Sequence, residues 1–159
     1  MNKTYLLLGS NLGDSKQQLS KAVEQINARI GKIIQSSGLY QTAAWGITAQ
    51  PDFINQVIVV ETSLEAEEMM QTILIIEEEM GRVRTKKNAA RTIDIDILFF
   101  NKEIIKSISL VIPHPFIRDR RFVLVPLNEL SARFIHPVLK KSIQQLLKQC
   151  PDKLDVKRI

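Results

Sequence analysis

Hydrophobic and polar positions along this chain fall into two periods, one near two residues and one near 3.6. Tyr5-Leu6-Leu7-Leu8 is a short apolar run ended by Gly9-Ser10-Asn11-Leu12-Gly13-Asp14, a pattern that predicts a buried strand running into a tight turn. Leu19, Ala22, Val23, Ile26 and Ile30 then recur at helical spacing, with Ser15 as the expected cap and Gly31 as the expected stop. Lys32 to Tyr40 reads as a strand, and Gln41 to Pro51, without periodicity, as a loop. Phe53 to Glu61 has the β-branched content of a central strand. Ser63 opens a Ser-x-x-Glu-like start for a helix over Glu65 to Met80, with Gly81 as its stop. Thr92 to Phe100 is a further strand, with which Glu103-Ile104-Ile105 is expected to pair as a hairpin. Phe122 to Leu130 and Ser142 to Lys148 are shorter helical segments.

The order β-α-β-β-α-β over the first hundred residues predicts an α+β, ferredoxin-like fold. Its antiparallel sheet carries helices on one face, and further helices follow toward the C-terminus. No repeat or Gly/Ser/Pro linker divides the 159 residues, so a single domain over 1–159 is expected. Hydrophobic residues at 45% exclude disorder as the main state. No apolar run reaches the ~18 residues of a membrane helix, and no signal-peptide pattern opens the chain. A lone cysteine, Cys150, offers neither an internal disulfide nor a zinc cluster. The expected location is the cytoplasm, without a membrane partner. With 22 basic against 17 acidic residues, the net charge of +5 favours anionic partners.

Where those charges sit narrows the choice. In Arg91-Thr92-Ile93-Asp94-Ile95-Asp96-Ile97-Leu98, strand alternation puts Asp94 and Asp96 on one face and the three isoleucines on the other. Two carboxylates ~7 Å apart along a strand are either a solvated edge or a seat for a hard, oxygen-loving cation. Magnesium in particular takes one or two protein carboxylates and completes its shell with water and substrate phosphates. Arg82, Arg84, Lys86, Lys87 and Arg91 lie just upstream, and arginines beside a carboxylate pair suit a metal–polyphosphate complex. His114 and Arg120, in Pro113-His114-Pro115-Phe116-Ile117-Arg118-Asp119-Arg120-Arg121-Phe122, add a donor and a further positive charge. His136 has no charged cluster around it and is assigned to structure. Asn55, on an apolar strand, must find partners either in core backbone groups or on the edge of a heterocycle. Phe53 on the same face, and Phe122, could stack on such a ring. Glu77-Glu78-Glu79 reads mostly as a solvated helix face, and no nucleophile–base arrangement is evident.

Taken with Gln50-Pro51-Asp52-Phe53-Ile54-Asn55 and Gly81-Arg82-Val83-Arg84, these blocks make the sequence resemble the 6-hydroxymethyl-7,8-dihydropterin pyrophosphokinases of folate biosynthesis over nearly its whole length. The resemblance implies transfer of the β,γ-pyrophosphoryl group of ATP to the hydroxymethyl group of the pterin, with release of AMP. It implies two magnesium ions on Asp94 and Asp96, with Arg82 and Arg91 gripping the phosphates. Arg84, His114 and Arg120 would also reach ATP, and Glu77 and Ile97 would lie near the nucleoside. The pterin would lie between Phe53 and Phe122, read by Asn55 and by the stretch Thr42-Ala43-Ala44-Trp45. The chain departs from the family where Asn88-Ala89-Ala90 replaces a frequent Trp-Gly-Pro, and where Ala44 stands for a frequent proline. The enzyme is expected to be a monomer acting on small molecules rather than nucleic acid. The alternative is a basic ferredoxin-like RNA-binding module, against which stand the acidic sheet face and the missing aromatic run. A metal-dependent nuclease or phosphatase would want a further acidic or histidine ligand.

Overall fold

The structure, a computed structural model, describes residues 1–44, 49–82 and 90–159. Strand β1 (Asn2–Ser10) leads into helix α1 (Ser15–Arg29), then β2 (Gly31–Ser36), β3 (Tyr40–Thr42) and β4 (Phe53–Thr62). Helix α2 (Ala66–Glu79) and strand β5 (Asp94–Phe100) complete a β-α-β-β-β-α-β core. Strands β6 (Ile105–Lys106) and β7 (Val111–Ile112), helices α3 (Arg121–Ser131) and α4 (Ile143–Gln149), and strand β8 (Val156–Arg158) follow.

The main sheet runs β5-β1-β4-β3-β8, with β2 also on β4, and every described pairing is antiparallel. That is the predicted topology with two refinements. The expected strand from Lys32 to Tyr40 is two strands laid end to end along β4: Gly31 to Ser36 pair with the Ile58–Thr62 end, and Tyr40 to Thr42 with the Phe53–Asn55 end. The break falls where Ser37 leaves the ladder, its Oγ accepting from the Val57 N–H at 3.0 Å. Residues 41 and 42, expected in a loop, therefore belong to the sheet.

Both faces of the sheet are covered, not one. Leu6 and Leu8 of β1 point into a core with Leu19, Ala22 and Ile26 of α1 and Met69, Ile73 and Ile76 of α2. Tyr5 and Leu7 point the other way, onto Val123, Leu124 and Leu127 of α3 and Ile143 and Leu146 of α4. This is why β1 reads as an unbroken apolar run instead of alternating. Each of the buried leucine, isoleucine, valine and methionine side chains among these contributes about 1.5–3 kcal/mol of transfer free energy.

Four local expectations are corrected. Asp14, not Ser15, caps α1, its Oδ1 accepting from the Gln17 N–H at 3.2 Å. Helix α2 is capped at Glu65, whose N–H donates to the Glu68 side chain at 3.3 Å, so Ser63 lies outside the cap. Gly31 is a sheet residue and not a helix stop: a Cβ there would stand 2.0 Å from the Glu61 carbonyl oxygen. The hairpin expected between Glu103-Ile104-Ile105 and β5 is also absent, because Ile105 and Lys106 pair with β7 in a separate two-stranded sheet. Gly81 does end α2, at φ +85°.

Candidate active site

Three strands present one row of residues on the α3 side of the sheet. Gly9 of β1 is paired with Asp94 on β5 and with Asn55 on β4. The next row places Leu7 between Asp96 and Val57. Because Gly9 has no side chain, the space between the carboxylate and the amide stays open: a Cβ on it would come within 2.6 Å of Asn55 Oδ1. Above this floor lies a pocket of about 480 Å³, opening to solvent. Its lining combines Thr42, Phe53, Asn55 and Phe122 with the charged Arg91, Asp94, Asp96 and Arg120. A second pocket, about 520 Å³, shares Asp96 and is walled by Met70, Ile95, Ile97, Ser109, Leu110, Val111, His114 and Pro115. The carboxylate pair thus stands where two pockets meet, one flanked by aromatic rings and one largely apolar.

The charges interlock. Arg82 Nη1 donates to Asp94 Oδ1 at 2.6 Å and to Glu77 Oε2 at 2.9 Å, and Arg91 Nη1 donates to Asp94 Oδ2 at 2.9 Å. The Arg91 guanidinium lies 5.1 Å from the centre of the Phe53 ring, and that of Arg120 5.8 Å from Phe122 and 4.8 Å from Phe116. Arg91 therefore ties the Phe53 wall to Asp94. Burial pushes the Asp96 carboxyl up to about 8, and the neighbouring charges of Asp94 and Glu77 push the same way. A carboxylate held so high is one that a divalent cation would relieve. No third His, Cys, Asp or Glu joins the pair among the described residues, which suits magnesium bound jointly with substrate phosphates.

His114 is held neutral, its pKa lowered to about 4 by burial and then by the Arg120 charge. Its Nδ1 accepts from the Phe116 N–H at 3.2 Å, so the proton sits on Nε2, which is left as a neutral donor beside the second pocket. Asn55 is buried and lines the first pocket, and among the described residues its Nδ2 has no hydrogen-bond partner. His136 is structural as expected, its Nδ1 accepting from the N–H groups of Val138 and Leu139.

Not every expected residue faces a pocket. Glu77 is buried, unlike Glu78 and Glu79, because it follows Met69, Ile73 and Ile76 on the inner stripe of α2. Its Oε2 accepts from Arg82 and, at 2.8 Å, from the Ile95 N–H, so it anchors the arginine and the start of β5. Ala44 is buried and lines neither pocket. Trp45, Arg84, Lys86, Lys87, Asn88 and Ala89 lie outside the described residues. The sequence reading missed Gly9 as pocket floor and the Ser109–Val111 wall; the first had a signal in its glycine-rich turn, the second none, since β7 is only two residues long.

A carboxylate pair among arginines, between an aromatic slot and an apolar pocket, suits a transferase acting on a polyphosphate. The chain belongs to the 7,8-dihydro-6-hydroxymethylpterin-pyrophosphokinase (HPPK) family, whose pattern matches residues 5–132. The 2-amino-4-hydroxy-6-hydroxymethyldihydropteridine pyrophosphokinase of Aquifex aeolicus is 38% identical over 145 residues, covering 91% of this chain and 90% of that protein. The folic acid synthesis protein fol1 of Pneumocystis carinii is also 38% identical, over 148 residues, but this chain spans only 20% of its length. Wild-type HPPK-DHPS of Plasmodium falciparum, solved with SDX-DHP, shares the fold at a TM-score of 0.74 and 22% identity, covering 94% of this chain and 43% of that one. No helix among the described residues is long and apolar enough to cross a membrane.

Proposed function

We infer that this chain transfers the pyrophosphoryl group of ATP to the hydroxymethyl group of 6-hydroxymethyl-7,8-dihydropterin, giving AMP and the pterin diphosphate. The observation that carries this reading is the position of Asp96, shared by the two pockets in a chain of the HPPK family. The hydroxyl oxygen attacks the β-phosphorus, the bond from that phosphorus to the α,β-bridging oxygen breaks, and AMP leaves with the electron pair while the hydroxyl proton is released.

Catalysis then rests on alignment and charge. Phe53 and Phe122 stack the pterin, and the free Asn55 Nδ2 reads its edge. The second pocket, with Ile97 and His114, takes the nucleoside and part of the triphosphate, the neutral His114 Nε2–H donating to phosphate oxygen. Arg82, Arg91 and Arg120 balance charge as the pyrophosphoryl group moves, with Arg84 as a further contact to ATP. Asp94 and Asp96 would hold two magnesium ions, which when bound neutralise the triphosphate and act as Lewis acids. Glu77 serves by holding Arg82 in place. One sheet carries both cores, which supports a single domain over 1–159. A monomeric, cytoplasmic enzyme completes the proposal.

The RNA-binding alternative finds no support. The family match runs against it. The deciding experiment incubates protein, magnesium, ATP and the pterin, then separates the nucleotides. Pterin-dependent AMP is expected; ADP in its place, or AMP formed without pterin, would overturn the reading.

A further inference from the structure

Asn11 is a polar side chain in the turn after β1, 3% exposed, and it touches neither pocket. Both ends of its side-chain amide, and its backbone N–H, bond to two other segments. Its Oδ1 accepts from the Arg91 N–H at 2.9 Å, and its own N–H donates to the Arg91 carbonyl at 3.2 Å. Its Nδ2 donates to Gln50 Oε1 at 2.8 Å and to the Pro51 carbonyl at 3.0 Å. The first pair fixes the backbone of Arg91, whose guanidinium reaches Asp94 and Phe53. The second pair fixes the entry to β4, two residues before Phe53. A single amide thus sets where a transition-state arginine and an aromatic wall stand relative to each other.

We propose that Asn11 is a positioning residue of the transfer reaction, acting through the Arg91 backbone on one side and through the Gln50 side chain and the Pro51 carbonyl on the other. This rests on the function inferred above. Only asparagine, or glutamine at a different reach, combines an acceptor for one segment with two donors for the other. Burial makes each bond expensive to leave unmade, and misplacing a catalytic group by about 1 Å costs up to about 100-fold in rate.

The test measures pterin-dependent AMP formation at saturating substrates for the wild type, Asn11→Ala, Arg91→Ala and the double variant, with thermal unfolding as the check on folding. Asn11→Ala is expected to lose about 10- to 100-fold in kcat with the KM for ATP within about twofold. In the Arg91→Ala background the same change should cost about threefold or less, since the group it positions is gone. Fully additive losses, or an unchanged kcat in Asn11→Ala, overturn the proposal. Asn11→Asp keeps the acceptor for Arg91 but loses the donors, so kcat should hold within a few-fold while the pterin KM rises about tenfold. Loss of kcat at unchanged pterin KM would refute that division. Amide exchange at Arg91 supplies a readout independent of turnover: Asn11→Ala should lose the protection of the Arg91 N–H, and retained protection overturns the proposal. A wild type that makes no pterin-dependent AMP would sink the functional reading alone, leaving the exchange result to decide on Asn11.

Discussion

Replacing Asp96 by asparagine should make the metal-free protein more stable and the enzyme inactive. In the folded chain this carboxyl titrates near 8, against 3.8 for an ordinary aspartate, because it is buried and faces Asp94 and Glu77. Between those values the folded state holds a proton that the unfolded chain has released, so ionisation favours unfolding increasingly as pH rises. At about 1.4 kcal/mol per tenfold in proton concentration, the cost would approach about 2 kcal/mol at pH 5 and about 4 kcal/mol at pH 7. Residual solvent contact of the side chain screens the charge, which brings these to about half. Asparagine has the same shape and no charge, and therefore escapes the penalty. The assay is urea unfolding of both proteins in chelator at pH 4, 5 and 7. The variant is expected to gain about 2 kcal/mol at pH 7, with the gain vanishing toward pH 4. Stabilisation by magnesium with ATP should shrink, and pterin-dependent AMP should fall by about 100-fold or more, since even outer-shell partners of a metal are worth 10- to 100-fold. A variant no more stable than its parent at pH 7, a gain independent of pH, or near-normal turnover would refute the account of this carboxylate.

Other outcomes follow from the same geometry. Arg91→Ala should lower kcat by about 100-fold while ATP affinity changes only a few-fold, because the guanidinium acts on developing charge; weaker ATP binding at undiminished kcat would argue the reverse. Gly9→Ala drives a methyl to within 2.6 Å of Asn55 Oδ1, so the pterin KM should rise about tenfold with a stability loss of about 1–3 kcal/mol, and unaltered pterin binding would contradict the pocket floor. His114, neutral down to about pH 4 in the folded state, lets the unfolded chain bind a proton first as pH falls below about 6.5. It therefore costs stability progressively between about pH 6.5 and 4, up to about 3 kcal/mol. Urea titrations of His114→Gln should show that part of the slope removed, and an identical slope would refute the assignment.

Much of this protein is written locally. The period of two in β5 sets Ile93, Ile95 and Ile97 against Asp94 and Asp96 without reference to the rest of the chain, and the 3.6-residue spacing in α1 and α2 selects Ala22, Ile26, Ile73 and Ile76 for the core. From these the β-α-β-β-α-β order and the acidic strand beside a basic segment were both legible, and the motif blocks carried the family. What the sequence left undecided depends on contacts between distant segments. The burial of Glu77 within an acidic run follows from helical phase against a sheet whose position only folding fixes. The pairing of β6 with β7 instead of β5 joins two-residue strands too short to carry a register signal of their own, so the partner is set by the surrounding tertiary structure. That Asp96 belongs to two pockets at once requires Phe122 and His114, at least 18 residues away in sequence, to be carried to the same end of the sheet. Side-chain periodicity is a property of neighbours along the chain and survives in the sequence. A site is a property of neighbours across it, and those are set only when the helices close on both faces of the sheet.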